Sequence, residues 1–143
     1  MECIFCDGKL KEFIIKKFKY WTIYLNENQY YLGRVYIALN RHGSESTVEL
    51  GKLEWIEFKD IIDKITKIVK KLYNYNLMNY LILQNKDRNH FHMHLIPRYE
   101  SSRFFYGKEF KDELWGKPPI PTPKIEFDKE LLMKIIIDLK KEL

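Results

Sequence analysis

The segment His90-Phe91-His92-Met93-His94-Leu95 alternates histidine with apolar residues and contains three of the four histidines of the chain. In an extended strand, successive side chains point to opposite faces of the sheet. The pattern therefore predicts a strand with one face in the core and three imidazoles on the other face. Imidazole changes protonation near neutral pH and serves as acid, base, nucleophile or metal ligand. Three imidazoles in register predict a functional site on this strand.

Length and composition predict a single domain over residues 1–143. The chain is 45% hydrophobic and 31% charged, which is typical of a folded globular protein. No apolar run approaches the length that spans a bilayer, and residues 1–7 lack the basic start and apolar stretch of a signal peptide. We therefore expect a cytoplasmic protein that has no membrane partner. The net charge of +5 suits an anionic ligand such as a nucleotide, although solvated surface lysines are the commoner cause.

Hydrophobic periodicity predicts an α+β fold built on an antiparallel meander sheet of about five strands. Residues 12–26 and 34–39 are rich in aromatic and β-branched side chains, which favour strands. Residues 53–74 carry apolar side chains at helical spacing and predict a central amphipathic helix packed on the sheet. A strand over residues 79–84 is expected to form a hairpin with the triad strand at about residues 90–99.

The last part of the chain is predicted to contain a connector and a C-terminal helix. Prolines exclude residues 117–123 from the interior of a helix or strand, and this segment is expected to be semi-rigid. Asp128 is a potential N-cap for a helix over about residues 128–143, in which an apolar stripe recurs. For the aromatic stretch 104–115, we favour packing or a subunit contact over stacking on a base.

Cys3 and Cys6 are the only cysteines, and their C-x-x-C spacing lets two thiolates bind one zinc ion without straining the backbone. We therefore expect a zinc-binding N-terminus over residues 1–10. Two sulfurs leave a tetrahedral site incomplete, and the candidates for the remaining ligands are His42 and one histidine of the triad. A redox dithiol and a pair of inert, unpaired thiols are the alternatives.

The run His90-x-His92-x-His94, followed by Leu95-Ile96-Pro97-Arg98, resembles the signature of the histidine triad (HIT) family of nucleotide-binding proteins. The C-x-x-C at the third residue, Asn26 seven residues before Gly33, and the pair Arg41-His42 resemble the zinc-binding branch of that family. Residues 79–99 are similar to its dinucleoside polyphosphate hydrolases and phosphorylases. The resemblance covers most of the chain up to about Trp115, and it implies a HIT-like fold that pairs into a homodimer.

The resemblance also implies a role for each histidine. His92 would attack the α-phosphorus of a nucleotide and form a nucleotidyl-histidine intermediate that water or another acceptor resolves. His94 would contact the phosphate or the leaving oxygen. The first histidine of the triad would join the two cysteines on a structural zinc ion, giving the ligand set Cys3, Cys6, His42 and His90.

The remaining expectations concern nucleotide binding. The resemblance implies that Asn26 contacts the ribose and Asn85 the phosphates. Arg98 lies close enough in sequence to the triad to neutralise phosphate charge. Two features depart from the family pattern: Gly33 is followed by Arg34 where many relatives have histidine, and the loop before His90 lacks the usual glycine, glutamine and serine or threonine pattern.

Together these residues predict a nucleotidyl hydrolase or transferase that acts on a dinucleoside polyphosphate, a nucleoside phosphoramidate or a related adenylated substrate. The first alternative is a nucleotide-binding regulatory module in which turnover is incidental. The second is an H-x-H metalloenzyme, because histidines two apart on a strand can chelate one metal. A nucleic acid is not an expected partner, because the sequence carries no added DNA-binding module.

Overall fold

A computed structural model describes residues 3–43, 46–86 and 89–143. These residues form a five-stranded antiparallel sheet with the strand order β1-β2-β3-β5-β4. The strands are β1 (Ile14–Lys17), β2 (Trp21–Leu25), β3 (Val35–Leu39), β4 (Leu77–Ile82) and β5 (His92–Arg98). Strand β5 carries the triad and lies inside the sheet between β3 and β4. The predicted α+β fold and the hairpin of the triad strand are therefore confirmed.

The apolar side of the triad strand faces a helix. Two α-helices occur in the described ranges, α1 (Lys52–Tyr73) and α2 (Lys129–Glu142). The Trp21 indole of β2 stacks on Phe58 of α1 with ring centroids 4.2 Å apart, and Phe91 contacts both rings edge-on. Because this face is apolar and buried, the opposite face of β5 carries the polar side chains of the candidate site.

The start of β3 is set by Gly33, whose φ of +85° lies in the left-handed region. A Cβ atom at this position would approach the side chains of Tyr73 and Val69 to 3.0 Å. Glycine is required for both reasons: it adopts positive φ without strain, and it lets β3 begin directly against α1. This turn directs Arg34 towards the polar face of the sheet.

The structure differs from the predicted elements in two places. Strand β5 begins at His92, so His90 precedes the strand instead of belonging to it. A second small sheet, β6 (Arg103–Phe105) with β7 (Lys108–Phe110), lies in the aromatic stretch where no hairpin was predicted. Its turn places Tyr106 and Gly107 at positive φ, and it was missed because hairpin turns of this kind usually carry Asn-Gly or Asp-Gly.

The proline-rich connector is anchored along the polar face of the sheet. Tyr31 Oη donates a hydrogen bond to Pro119 O at 2.9 Å, and Asn28 Nδ2 donates one to Pro123 O at 2.8 Å. The connector leads into α2, which starts after Asp128 although the Asp128 side chain makes no capping hydrogen bond. Within the described ranges, no helix combines the length and apolarity needed to cross a bilayer.

Candidate functional site

Two cysteines and two histidines from distant parts of the sequence converge on one point. Cys3 Sγ lies 3.3 Å from His90 Nδ1, Cys6 Sγ lies 3.4 Å from His42 Nδ1, and the two Nδ1 atoms are 3.3 Å apart. Around a tetrahedral zinc ion, two nitrogens stand about 3.3 Å apart and a nitrogen and a sulfur about 3.5 Å apart, given the usual bond lengths. The three distances given are close to those values, and all four ligand atoms lie within 4.8 Å of one another, so these side chains form a candidate site for one metal ion.

The local backbone aims these ligands at the common point. The N–H groups of Cys6 and Asp7 both donate to Cys3 O at 2.9 Å, which closes a tight turn between the cysteines. The Nε2–H of His90 donates to Leu39 O, so the lone pair of that ring is on Nδ1, which faces the cluster. A second hydrogen bond of this kind orients most metal-binding histidines.

In the absence of a cation, the Cys6 side chain of the cluster stays a protonated thiol at neutral pH. Burial, followed by the hydrogen bond and charge of Cys3, raises the pKa of Cys6 to about 11. Burial also lowers the pKa of His90 below its ordinary value of 6.5. A bound cation reverses the first effect because it stabilises the thiolate, and the second effect keeps the imidazole in its neutral, metal-binding form.

His92 and His94 form a second group beside the cluster, on the polar face of β5. Both rings are buried, and their centroids are 5.1 Å apart. The Nδ1–H of His92 donates to the backbone carbonyl of His90 at 2.7 Å, which places the ring lone pair on Nε2. Phe5, between the two cysteines, lies 5.1 Å from the His92 ring. The turn that contains Cys3 and Cys6 therefore contacts the surroundings of His92.

Arg34 contacts the third histidine of the triad. Its Nη2 lies 3.2 Å from His94 Nδ1, and because arginine can only donate, Nδ1 is the acceptor and the His94 proton is on Nε2. Its Nη1 donates to Thr122 Oγ1 at 3.1 Å, whereas Nε has no hydrogen-bond partner within the described part of the chain. Burial lowers the pKa of this guanidinium. Arg34 was not among the predicted site residues, and its position after Gly33 was the available signal.

Comparison with known proteins rests on structure, since no family model and no curated protein matches this sequence. A hypothetical histidine triad nucleotide-binding protein from Sulfolobus tokodaii aligns with a TM-score of 0.76 and 18% identity, over 98% of this chain and 91% of that one. The chain has the histidine triad fold.

Two further structures with the histidine triad fold are informative. A zinc-bound histidine triad family protein from Mycobacterium smegmatis aligns with a TM-score of 0.63 and 14% identity, over 99% of this chain and 95% of that one. A diadenosine triphosphate hydrolase from Plasmodium falciparum aligns with a TM-score of 0.60 and 14% identity, over 92% of this chain and 74% of that one. At these identities the similarity establishes the fold.

The two asparagines that were predicted to bind the nucleotide, Asn26 and Asn85, differ in burial. Asn26 is buried at the end of β2, where its backbone N–H donates to Arg34 O at 3.1 Å and its Oδ1 accepts from the Asn28 N–H at 2.9 Å. Asn26 is therefore next to Arg34. Asn85 follows β4 and is exposed.

Arg98, which was predicted to bind the nucleotide, is engaged within the fold, and its nucleotide contact stays a prediction. Its guanidinium donates to both carboxylate oxygens of Asp112, at 2.7 and 3.3 Å, and to Asn79 Oδ1 at 2.9 Å. Further hydrogen bonds reach the carbonyls of Leu114 and Lys117, so all five N–H donors are occupied. Arg98 joins β5 to the segment that follows β7. Its sequence position near the triad gave no sign of the partner Asp112.

Proposed function

We propose that this protein is a HIT-type nucleotidyl hydrolase or transferase that acts on the α-phosphate of a dinucleoside polyphosphate, a nucleoside phosphoramidate or a related adenylated compound. The observation that carries the proposal is the hydrogen bond from His92 Nδ1 to His90 O, which leaves the nucleophilic lone pair on Nε2. The histidine triad fold supports it, since proteins named for nucleotide binding and for diadenosine triphosphate hydrolysis share that fold.

In the proposed reaction, His92 Nε2 attacks the α-phosphorus as the bond from phosphorus to the leaving group breaks. The bonding pair goes to the leaving atom, and a nucleotidyl-His92 intermediate forms. Water then attacks the same phosphorus, which releases the mononucleotide, one proton and a neutral imidazole. Covalent catalysis of this kind replaces one difficult displacement by two easier ones. The second catalytic residue is His94, which would donate from Nε2–H to the leaving group.

We propose further that Cys3, Cys6, His42 and His90 hold one structural Zn²⁺ ion. The ligand distances fit a tetrahedral ion, and a fold neighbour is described as zinc-bound. Four protein ligands leave no open position for an activated water, so the ion would supply stability and order to the N-terminal turn. The same geometry gives an H-x-H metal site at His90 and His92 no support, because the His90 lone pair faces the cysteines. In the pair His92 and His94, the Nδ1 lone pair of His94 accepts from Arg34.

For nucleotide binding we retain Asn26 as the ribose contact and Asn85 as a phosphate contact. Asn26 lies beside Arg34 on the same side of the sheet as the triad, and Asn85 is exposed beyond the strand that pairs with β5.

A homodimer is proposed on the basis of β4, which is an edge strand of the described sheet. Leu77, Tyr80 and Ile82 of this strand are 58%, 49% and 42% exposed, and exposed apolar edges favour strand pairing. The variant Ile82→Lys is expected to convert a dimer to a monomer in analytical ultracentrifugation. A wild-type protein that is monomeric at high concentration would exclude this interface.

The enzyme proposal is tested with diadenosine triphosphate and adenosine 5′-phosphoramidate as substrates, with and without inorganic phosphate. His92→Asn should abolish turnover, and acid quenching of the wild type should trap adenylate on the peptide that contains His92. Lys111→Ala, an exposed change, is the matched control. Undiminished turnover in His92→Asn would contradict the mechanism. Tight AMP binding without turnover of either substrate would instead favour the regulatory module.

A further inference from the structure

Arg34 is a buried cation that forms no ion pair with any carboxylate of the described ranges. Its side chain is 7% exposed, its Nε makes no hydrogen bond in the described ranges, and no ion pair of Arg34 occurs among the described residues. Burial of an unpaired charge is unfavourable because the charge loses its hydration. Arg98 is buried to a similar degree in the same part of the fold, yet it is fully satisfied by Asp112 and three other acceptors. Arg34 therefore carries a positive charge that no carboxylate of the described ranges neutralises.

The position of Arg34 is fixed on two sides. Gly33 directs it onto the polar face, Thr122 of the proline-rich connector accepts from Nη1, and His94 accepts from Nη2. The register places Tyr36, two residues later, opposite His94 on β5. The guanidinium thus lies beyond His94, on the side of that ring where its Nδ1 is located.

This contact determines what His94 can do. Because a guanidinium donates to Nδ1, the third histidine is held as a neutral imidazole with its proton on Nε2. A neutral imidazole donates a hydrogen bond to a leaving atom, but it transfers a proton much less readily than an imidazolium does. Such a site favours a leaving group that departs as an anion, because that group needs a hydrogen bond and not a proton.

We propose that Arg34 selects phosphoanhydride substrates over phosphoramidates, by holding His94 as a neutral donor and by placing a buried positive charge near the departing phosphate. The proposal rests on the enzyme function proposed above. When an anhydride is attacked, the P–O bond breaks and the electron pair stays on a phosphate oxygen, which needs no proton and is stabilised by a cation. When a phosphoramidate is attacked, the P–N bond breaks and the nitrogen must gain a proton.

The test compares kcat/KM for diadenosine triphosphate and adenosine 5′-phosphoramidate in the wild type, Arg34→Met and Arg34→Lys. Arg34→Met should reduce anhydride turnover about 10²-fold, the usual effect of removing one charge-stabilising donor, while phosphoramidate turnover falls much less. Arg34→Lys should restore part of the anhydride preference because it keeps the charge. Equal losses on both substrates would show a merely structural role and would overturn the proposal.

A second measurement is independent of turnover. Nitrogen-15 NMR of the wild type should show His94 protonated at Nε2, and Arg34→Met should shift that ring towards a mixture of tautomers. A wild-type His94 protonated at Nδ1 would overturn the proposal.

If neither substrate is turned over, the enzyme function fails separately and calorimetry decides the anion site. Arg34→Met should then weaken ADP binding about tenfold relative to AMP binding. An unchanged ratio of the two affinities would count against Arg34.

Discussion

The variant Asp112→Ala tests whether Arg98 stabilises the fold through its ion pair with Asp112 or is free to bind the nucleotide. The side chains of Asp112 and Arg98 are 0% and 5% exposed. The Asp112 carboxylate accepts two hydrogen bonds from Arg98 and one each from the N–H groups of Tyr99 and Leu114. Asp112→Ala removes all four and leaves Arg98 as an uncompensated buried charge.

We expect Asp112→Ala to lower the free energy of unfolding by about 3–5 kcal/mol, the usual effect of breaking a buried ion pair from one side. That is a large share of the roughly 5–15 kcal/mol that stabilises an ordinary domain. The loss should appear in urea unfolding as a lower midpoint with an unchanged slope. The double variant Arg98→Met, Asp112→Leu should recover much of the stability, because no charge is then left buried.

The matched control is Asp63→Ala, which removes an exposed partner of Lys59 on α1 and should change the midpoint very little. A loss below about 1 kcal/mol in Asp112→Ala would refute the assignment, since it would mean that Arg98 finds other compensation on release. Such a result would make Arg98 available to a phosphate after all.

Two more predictions concern the metal cluster and the turn before Arg34. Cys6→Ala should lower the zinc content, measured by elemental mass spectrometry on protein purified without added zinc, from near one equivalent to a small fraction of it; equal zinc in wild type and variant would contradict the site. Gly33→Ala should destabilise the protein by about 1–3 kcal/mol, because alanine is strained at φ +85° and its Cβ would meet two α1 side chains at 3.0 Å. Gly107→Ala is the control, because at φ +73° it introduces backbone strain while no atom lies within 4 Å of the added Cβ. An equal loss of stability in both variants would exclude a contribution from the steric contact at Gly33.

Features encoded by local periodicity were predicted well from the sequence. The alternation at residues 90–95 placed Phe91, Met93 and Leu95 in the core and His92 and His94 on the other face, as observed. The helical spacing over residues 53–74 corresponds to α1 at Lys52–Tyr73. Such patterns are reliable because burial of one face repeats with the period of the backbone itself.

The grouping of the two cysteines with histidines was predictable for a different reason. C-x-x-C spacing restricts two thiols to one small volume, and a tetrahedral ion then needs two more ligands from a chain that has four histidines. The exact strand limits were not predictable, since His90 leaves the strand to present its ring nitrogen to the cysteines while its carbonyl accepts from His92. That geometry depends on the position of the N-terminal turn relative to the sheet.

The roles of the two arginines near the triad, Arg34 and Arg98, could not be predicted from local sequence patterns. From sequence, Arg98 follows the histidine signature directly and Arg34 lies far from it, so the first was expected to bind phosphate. In the folded chain, Asp112 neutralises Arg98. Arg34 lies buried against His94 and forms no ion pair within the described ranges. The shared face of His92 and His94 and the opposite core face follow from the alternation of side chains along a strand. That alternation is a local property, so a short segment of sequence is enough to predict it. Which arginine faces a ligand follows from the side chains that meet it across the fold, and those come from residues 14 to 88 positions away.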